Sequence, residues 1–412
     1  MWIKILSYLI RPLIKVGHLE IELPEGEVLT FGNPSDKKVR VTIKDRRILR
    51  SLVLNPDLAL GEAYMDNSIL IENDDLYGLL SLFTKNISYQ PDSRMSQFMA
   101  FRSKLLFWFQ RSNLPSLSKK NVEHHYDLSP ELYKLFLDED QQYSCAYFQR
   151  DDDTLEQAQI NKKTHIAKKL LLKPGMTVLD IGCGWGGLSL TLARDYGVNV
   201  VGITLSEEQK LIADARAIKE GLQDKVKFKI LDYRADFGTF DRIVSVGMFE
   251  HVGTSNYMDF FDAIEKKLNK DGIALIHTIG RMSPPGNTSP WLEKYIFPGG
   301  YTPAMSEMVA NVERNYLYIT DIEVWRLHYA KTLHHWHKRF SENEEKIQES
   351  LKILMKGKTT FLIAHRFSSI RLANRILVIN KGEIIADGSH EVVYSSCDLY
   401  RSLYDQQIED IN

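Results

Sequence analysis

Short apolar runs alternate with amphipathic stretches through the middle of the chain. Thr177 to Ile181, Asn199 to Ile203, Val226 to Leu231, Phe240 to Val246 and Ile273 to Ile279 read as strands. Leu188 to Tyr196, Glu207 to Glu220 and Tyr257 to Leu268 read as the helices between them. Continuous apolar strands in regular alternation with helices predict an α/β fold, a parallel sheet covered on both faces. In such a sheet, ligands sit beyond the carboxyl ends of the strands.

The chain starts differently. Trp2, Leu6, Leu9, Ile10, Leu13 and Ile14 recur at helical spacing, with Lys4, Arg11 and Lys15 interleaved. The charges interrupt the run too often for a bilayer span, and no small-residue cleavage site follows, so a secretory signal is not expected. Residues 1–16 therefore suit either a segment lying in a membrane interface or a helix packed on its own domain, interrupted in both cases by Pro12. From Gly17 to about Arg111, alternating runs such as Val39 to Ile43 mix with helical stretches near Pro56 to Tyr64 and Leu76 to Phe83, the pattern of a small α+β domain. The polar stretch Arg111 to Lys120 has the composition of a linker, which puts the expected domains at 1–115 and 116–340.

Composition narrows the partners. At 412 residues the chain can bury a large core, and 52 Lys plus Arg against 54 Asp plus Glu leave a formal net charge of -2, which does not suggest a nucleic-acid binder. Cys145, Cys183 and Cys397 are far apart and form no CxxC pair, so neither a zinc site nor a disulfide framework is expected. The run of His328, His334, His335 and His337 lacks a carboxylate or Cys at ligand spacing, and no metal is expected there. With Leu333 and Trp336 it reads as an amphipathic helix.

Candidate chemistry begins at Val178 to Gly187, VLDIGCGWGG. An apolar run ends in Asp180, and Gly182, Gly184, Gly186 and Gly187 let the chain turn into a helix. A nucleotide-binding loop fits this pattern, with a purely structural turn as the plainer alternative. The second strand ends in Thr204-Leu205-Ser206-Glu207-Glu208-Gln209 without the acid that a dinucleotide fingerprint places there, and no Lys follows Gly187 in P-loop fashion. The other strand ends bring Asp232, Tyr233 and Arg234, then Glu250 and His251, then His277 to the same edge. Each alone could be a cap, an ion-pair partner or a core residue. Their convergence raises the functional reading.

These residues carry a family resemblance. Tyr143 to Phe148, VLDIGCGWGG, Gly202 to Ser206 with Gln209, Val246 to Gly253, His277 to Gly280, Tyr295 to Tyr301 and His328 to Leu333 resemble cyclopropane-fatty-acyl-phospholipid synthases and the related mycolic acid cyclopropane synthases, over about Gly17 to Phe340. The resemblance implies a Rossmann-like S-adenosylmethionine-dependent methyltransferase. It further implies that Tyr143, Ser144, Gly182, Gly184, Thr204, Leu205, Ser206, Gln209, Tyr233 and Arg234 bind S-adenosylmethionine. Cys145, Glu250, His277, Tyr329 and the backbone N–H of Ile279 match the family's bicarbonate site. The aromatics from Trp291 to Tyr301 read as a lid or acyl channel. The expected partner is a phospholipid membrane surface at the inner face of the cytoplasmic membrane, with a homodimer left open.

Past Phe340 the expected resemblance changes. Lys356 to Arg366, Ala373 to Ile379, Lys381 to Ile384 and Gly388 to Glu391 look like the end of an ABC transporter nucleotide-binding domain, with His365 at its switch position. A foreign α/β tail over 341–412 is therefore expected, in place of the synthase family's final helix and strand. The chain holds no Walker A lysine loop, signature motif or Asp-Glu pair to accompany His365, so no ATP hydrolysis is expected.

Overall fold

A computed structural model describes residues 1–89, 130–344, 346–347, 373–380 and 383–409. The linker expected at Arg111 to Lys120, and His365, lie outside the described residues. The described residues fall into two compact units, one of 1–89, 289–291 and 373–409, the other of 130–288 and 292–347.

In the first unit, β1 (His18–Glu22), β2 (Val28–Gly32), β3 (Lys38–Ile43) and β4 (Ile69–Ile71) form a sheet ordered β2-β1-β3-β4. β1 pairs antiparallel with β2 and parallel with β3, and β3 pairs antiparallel with β4. Helices α1 (Trp2–Ile10), α2 (Ile48–Leu54), α3 (Pro56–Met65) and α4 (Leu76–Tyr89) complete it. Val39, Val41 and Ile43 alternate inward from β3, as the period of a half-buried strand requires. Leu6, Ile10 and Ile14 are buried in the same core. Of the two readings of residues 1–16, the packed helix is the observed one, and its apolar stripe is spent on the domain's own interior. The helix stops at Ile10, before Pro12, whose ring denies the helix a backbone donor.

The second unit is built on β5 (Thr177–Ile181), β6 (Asn199–Thr204), β7 (Val226–Ile230), β8 (Phe240–Val246) and β9 (Leu268–His277). They pair in parallel in the order β7-β6-β5-β8-β9. The helices before the flanking segments are α5 (Pro130–Phe136), α6 (Leu155–Lys169), α7 (Gly187–Tyr196), α8 (Glu207–Lys219), α9 (Tyr257–Lys267), α10 (Pro290–Tyr295), α11 (Met305–Arg314) and α12 (His328–Glu342). Alternation along the strands divides the core. Val178, Val200, Phe228 and Val244 pack with residues of α6, α7 and α8, while Leu179, Ile181, Ile203 and Ile243 pack with α9. β9 begins earlier than the sequence pattern predicts, because Asn269 to Gly272 is an irregularity inside the strand rather than a turn before it. The register slips between Phe240↔Leu268 and Arg242↔Ile273, and Asp271 takes φ 65°.

The C-terminal residues form β10 (Ile376–Asn380) and β11 (Glu383–Gly388), an antiparallel hairpin, followed by α13 (His390–Ser396) and α14 (Asp398–Glu409). Ile376, Val393, Cys397 and Tyr400 give this segment a small core of its own. Among the described residues the hairpin is a separate two-stranded sheet and adds no strand beside β9.

Candidate active site

The loop from β5 to α7 is tied to its neighbour: the N–H groups of Gly182 and Cys183 both donate to the Ile203 carbonyl, at 2.9 and 3.0 Å. Two of its glycines differ in purpose. A Cβ on Gly186, at φ 83°, would lie 2.6 Å from the Phe228 ring and 3.0 Å from the Ala213 Cβ, so this glycine serves helix-to-sheet packing. A Cβ on Gly184 would meet nothing within 4 Å, and Gly184 lines a cavity at the carboxyl ends of the strands.

That cavity gathers most of the residues singled out for the cofactor. Tyr143, Ser144, Gly182, Gly184, Thr204, Leu205, Gln209, Tyr233 and Arg234 all line it. Ser206 is not among the lining residues; its Oγ accepts from the Gln209 N–H at 3.2 Å and caps α8. Thr204 Oγ1 donates to Gln209 Oε1 at 2.8 Å, so the segment is braced internally. Arg234 is held by Asp232 through Nε to Oδ1 at 2.7 Å and an NH2 group to Oδ2 at 2.6 Å. Aromatic rings close one side, with Tyr143 at 5.2 Å from Trp336 of α12 and 5.3 Å from Tyr133 of α5.

Sequence reasoning assigned no role to several residues of the wall, including Gln142, Trp185, Asp232 and Met248. Asp180 was seen only as the end of a strand. Its carboxyl group faces Ser189, whose hydroxyl donates at 2.7 Å, and burial pushes its pKa up to about 6. The acid next to the glycine turn was a readable signal.

Beside the cavity lies the second cluster. Chain neighbours join the two, since Ser144 and His251 line the cavity while Cys145 and Glu250 are the adjacent residues. Glu250 Oε1 accepts from the Ile279 N–H at 2.6 Å. The N–H that the resemblance assigns to a bound anion is thus engaged by Glu250 in this structure. Glu250 Oε2 and His277 Nδ1 are shut from solvent without a hydrogen-bond partner among the described residues. Polar atoms in that condition cost free energy until a ligand or water meets them.

Burial pushes the groups of this cluster towards their neutral forms. Burial raises the Glu250 carboxyl, against the lowering effect of the Ile279 N–H. Burial, helped by the Lys162 charge, depresses His277 to about 3, so its ring is uncharged at neutral pH. Burial pushes the Cys145 thiol up to about 11 and raises the Tyr329 phenol further, so both keep their protons. Tyr329 interacts electrostatically with Tyr143, Cys145 and Glu250, which brings it to the same place. The arrangement offers neutral donors around one carboxyl group, suited to a small anion that shares a proton with it.

The histidine run is structural. His328 Nδ1 accepts from the Phe148 N–H at 2.9 Å and its ring stacks on Tyr147, while His335 stacks on Phe148. Of the aromatic segment, Tyr301 joins the core and its hydroxyl donates to Glu307 at 2.8 Å. Leu292, Tyr295 and Ile296 are exposed.

Comparisons with known proteins agree on this unit. The mycolic acid cyclopropane synthetase family matches residues 115–358, and a domain of unknown function matches residues 9–89. A probable fatty acid methyltransferase of Pseudomonas putida is 33% identical over 414 residues, covering 95% of this chain and 98% of its own. The cyclopropane-fatty-acyl-phospholipid synthase of Escherichia coli is 37% identical over 333 residues, covering 78% of this chain and 84% of its own. A crystal structure of a mycolic acid cyclopropane synthase complexed with SAH and CTAB is similar at 36% identity and a TM-score of 0.53, over 56% of this chain and 86% of that one. The family match runs past Phe340, and the Pseudomonas match spans most of 341–412, so likeness to the synthases does not stop where the sequence reading placed its end. With its fold, glycine loop and carboxyl-end cluster in agreement, the chain belongs to the mycolic acid cyclopropane synthetase family.

Proposed function

We propose that this chain transfers the methyl group of S-adenosylmethionine to the cis double bond of an unsaturated phospholipid acyl chain and closes a cyclopropane ring. The observation that carries the reading is the adjacency of the glycine-loop cavity to Glu250, His277, Cys145 and Tyr329 through the pairs Ser144-Cys145 and Glu250-His251. The cavity fits the co-substrate: Gly184 leaves a cradle that a Cβ would fill, and Asp180, Ser144 and Gln142 supply polar groups around apolar walls.

An isolated alkene is a weak nucleophile, so holding it against the sulfonium methyl supplies much of the rate. The new carbon–carbon bond leaves a cation on the other alkene carbon. Removing one proton from the new methyl group frees the electron pair that closes the ring. A bicarbonate ion held by this cluster would supply the base that takes the proton. Glu250 Oε2 and His277 Nδ1 are the partnerless polar atoms that suit such an anion. Glu250, raised by burial, holds or accepts a proton beside it, which avoids two like charges in contact. Tyr329 and Cys145 keep their protons and can donate.

The phospholipid surface, reached from the cytoplasmic side, is part of the proposal. No described helix is long and apolar enough to cross a membrane. With the apolar stripe of α1 packed inward, the exposed Leu292, Tyr295 and Ile296 are the better candidates to meet lipid. We propose no ATP hydrolysis by residues 341–412, because the chain lacks the motifs of a phosphate cradle. The test is a purified chain incubated with S-adenosylmethionine, bicarbonate and vesicles of cis-unsaturated phospholipid. A cyclopropane acyl product is expected. The name of the Pseudomonas relative favours a second reading, methylation without ring closure, in which the cation loses a proton from a neighbouring chain carbon instead; an unsaturated methyl-branched product would establish it in place of the first.

A further inference from the structure

α6 carries a lysine that no motif singled out. Lys162 is less than 2% exposed, and its Nζ donates to Ser144 Oγ at 2.7 Å. From the same helix, Gln159 Nε2 donates to the carbonyls of Ser144 and Gln142, at 3.0 and 3.2 Å. The helix therefore grips both the backbone and the hydroxyl of the segment that walls the cavity.

The direction of the Lys162 bond is informative. An ammonium group only donates, so Ser144 Oγ is the acceptor and its own hydrogen must point elsewhere. No described residue accepts that hydrogen, and Ser144 lines the cavity. Burial lowers Lys162 to about 8, opposed by the Asp138 charge, so it remains a cation at neutral pH. Cys145, Lys163 and Asp140 also act on it. A buried cation one hydroxyl away from a cavity favours an anion on the far side of that hydroxyl.

We propose that Lys162 is a positioning residue that commits the Ser144 hydroxyl to donate to a carboxylate-type anion in the cavity. Two sources share that chemistry, the carboxylate of the S-adenosylmethionine amino-acid end and bicarbonate. The inference rests on the S-adenosylmethionine reading given above.

The experiment compares the unmodified chain with Lys162→Met and Ser144→Ala. Binding of S-adenosylmethionine and of its analogue lacking the carboxylate is measured by calorimetry, together with the bicarbonate dependence of lipid product formation. If the amino-acid carboxylate is the partner, each variant binds S-adenosylmethionine about tenfold or more weakly but holds the decarboxylated analogue within about threefold. If bicarbonate is the partner, the two binding constants keep their ratio and half-maximal rate needs about tenfold more bicarbonate. The double variant should lose no more than either single one, since both changes break one chain of bonds. Unchanged bicarbonate dependence, whether with equal loss of both cofactor forms or with no loss of either, overturns the proposal. Ser144→Ala gives the same discrimination should Lys162→Met fail to fold. An unmodified chain that binds no S-adenosylmethionine overturns the cofactor reading beneath it, which is a different result.

Discussion

The two flanks of the parallel sheet are finished to different degrees. On one, β5 has four of five residues buried, its loop is bonded to β6, and α8 starts with a side-chain cap. On the other, β9 is the edge strand among the described residues and has no fully buried residue. Beyond α11, Tyr316, Tyr318, Ile322 and Val324 stand exposed. The cavity depends on the finished flank, and the Glu250 cluster reaches across to the second residue after β9 through Ile279. The proposed cofactor binding and ring closure would therefore rest on differently supported parts of one sheet, and they should be separable by mutation.

The largest separation is expected at Glu250. Glu250→Gln keeps the size of the side chain but removes the carboxylate chemistry, and should lower cyclopropane formation about 100-fold or more. Affinity for S-adenosylmethionine should stay within about threefold, because Glu250 lies outside the cavity wall. Calorimetry beside product analysis checks this, and equal loss of both would remove the distinction between the flanks.

On the finished flank, Gly186→Ala puts a Cβ against Phe228 and Ala213 at a left-handed φ, and should cost about 1–3 kcal/mol of stability. Denaturant unfolding reads it. At the end of β9, on the other flank, His277 gives a pH-dependent effect. Its folded pKa is depressed to about 3 from the ordinary 6.5, so the stability it contributes is fully present above 6.5 and is lost progressively as pH falls towards 3. Melting temperature should therefore fall more steeply for the unmodified chain than for His277→Gln between about pH 7 and about pH 5. Parallel slopes would mean that the ring is not held neutral. The smallest effect belongs to the unfinished flank: Tyr318→Ser, at 94% exposure, should change stability by no more than about 0.5 kcal/mol. A larger loss would show that this segment is packed in solution.

Legibility follows the same division. Strands β5 and β8 lie where the apolar runs predict, because both faces of a central strand are buried and the pattern is unambiguous. β9 was shortened in the reading because Asn269-Lys270-Asp271-Gly272 has the chemistry of a turn, and only pairing with β8 reveals a strand irregularity. The stripe of α1 could not be assigned from sequence, since a membrane interface and a protein core select the same spacing. Most of the candidate cofactor residues that line the cavity were visible as motifs. Two facts were not: that the Ile279 N–H is taken by Glu250, and that Lys162 is buried. Local sequence carries neither, because a backbone donor has no residue code and a lysine on a polar-looking helix reads as solvated.

Labelling the methyl group tests the central claim most directly. The purified chain would receive S-adenosylmethionine with three deuteriums on the transferred methyl, bicarbonate and cis-unsaturated phospholipid vesicles, and the acyl products would be read by mass spectrometry. Ring closure by deprotonation of the new methyl group predicts a cyclopropane product retaining two of the three deuteriums. A product retaining all three would contradict it.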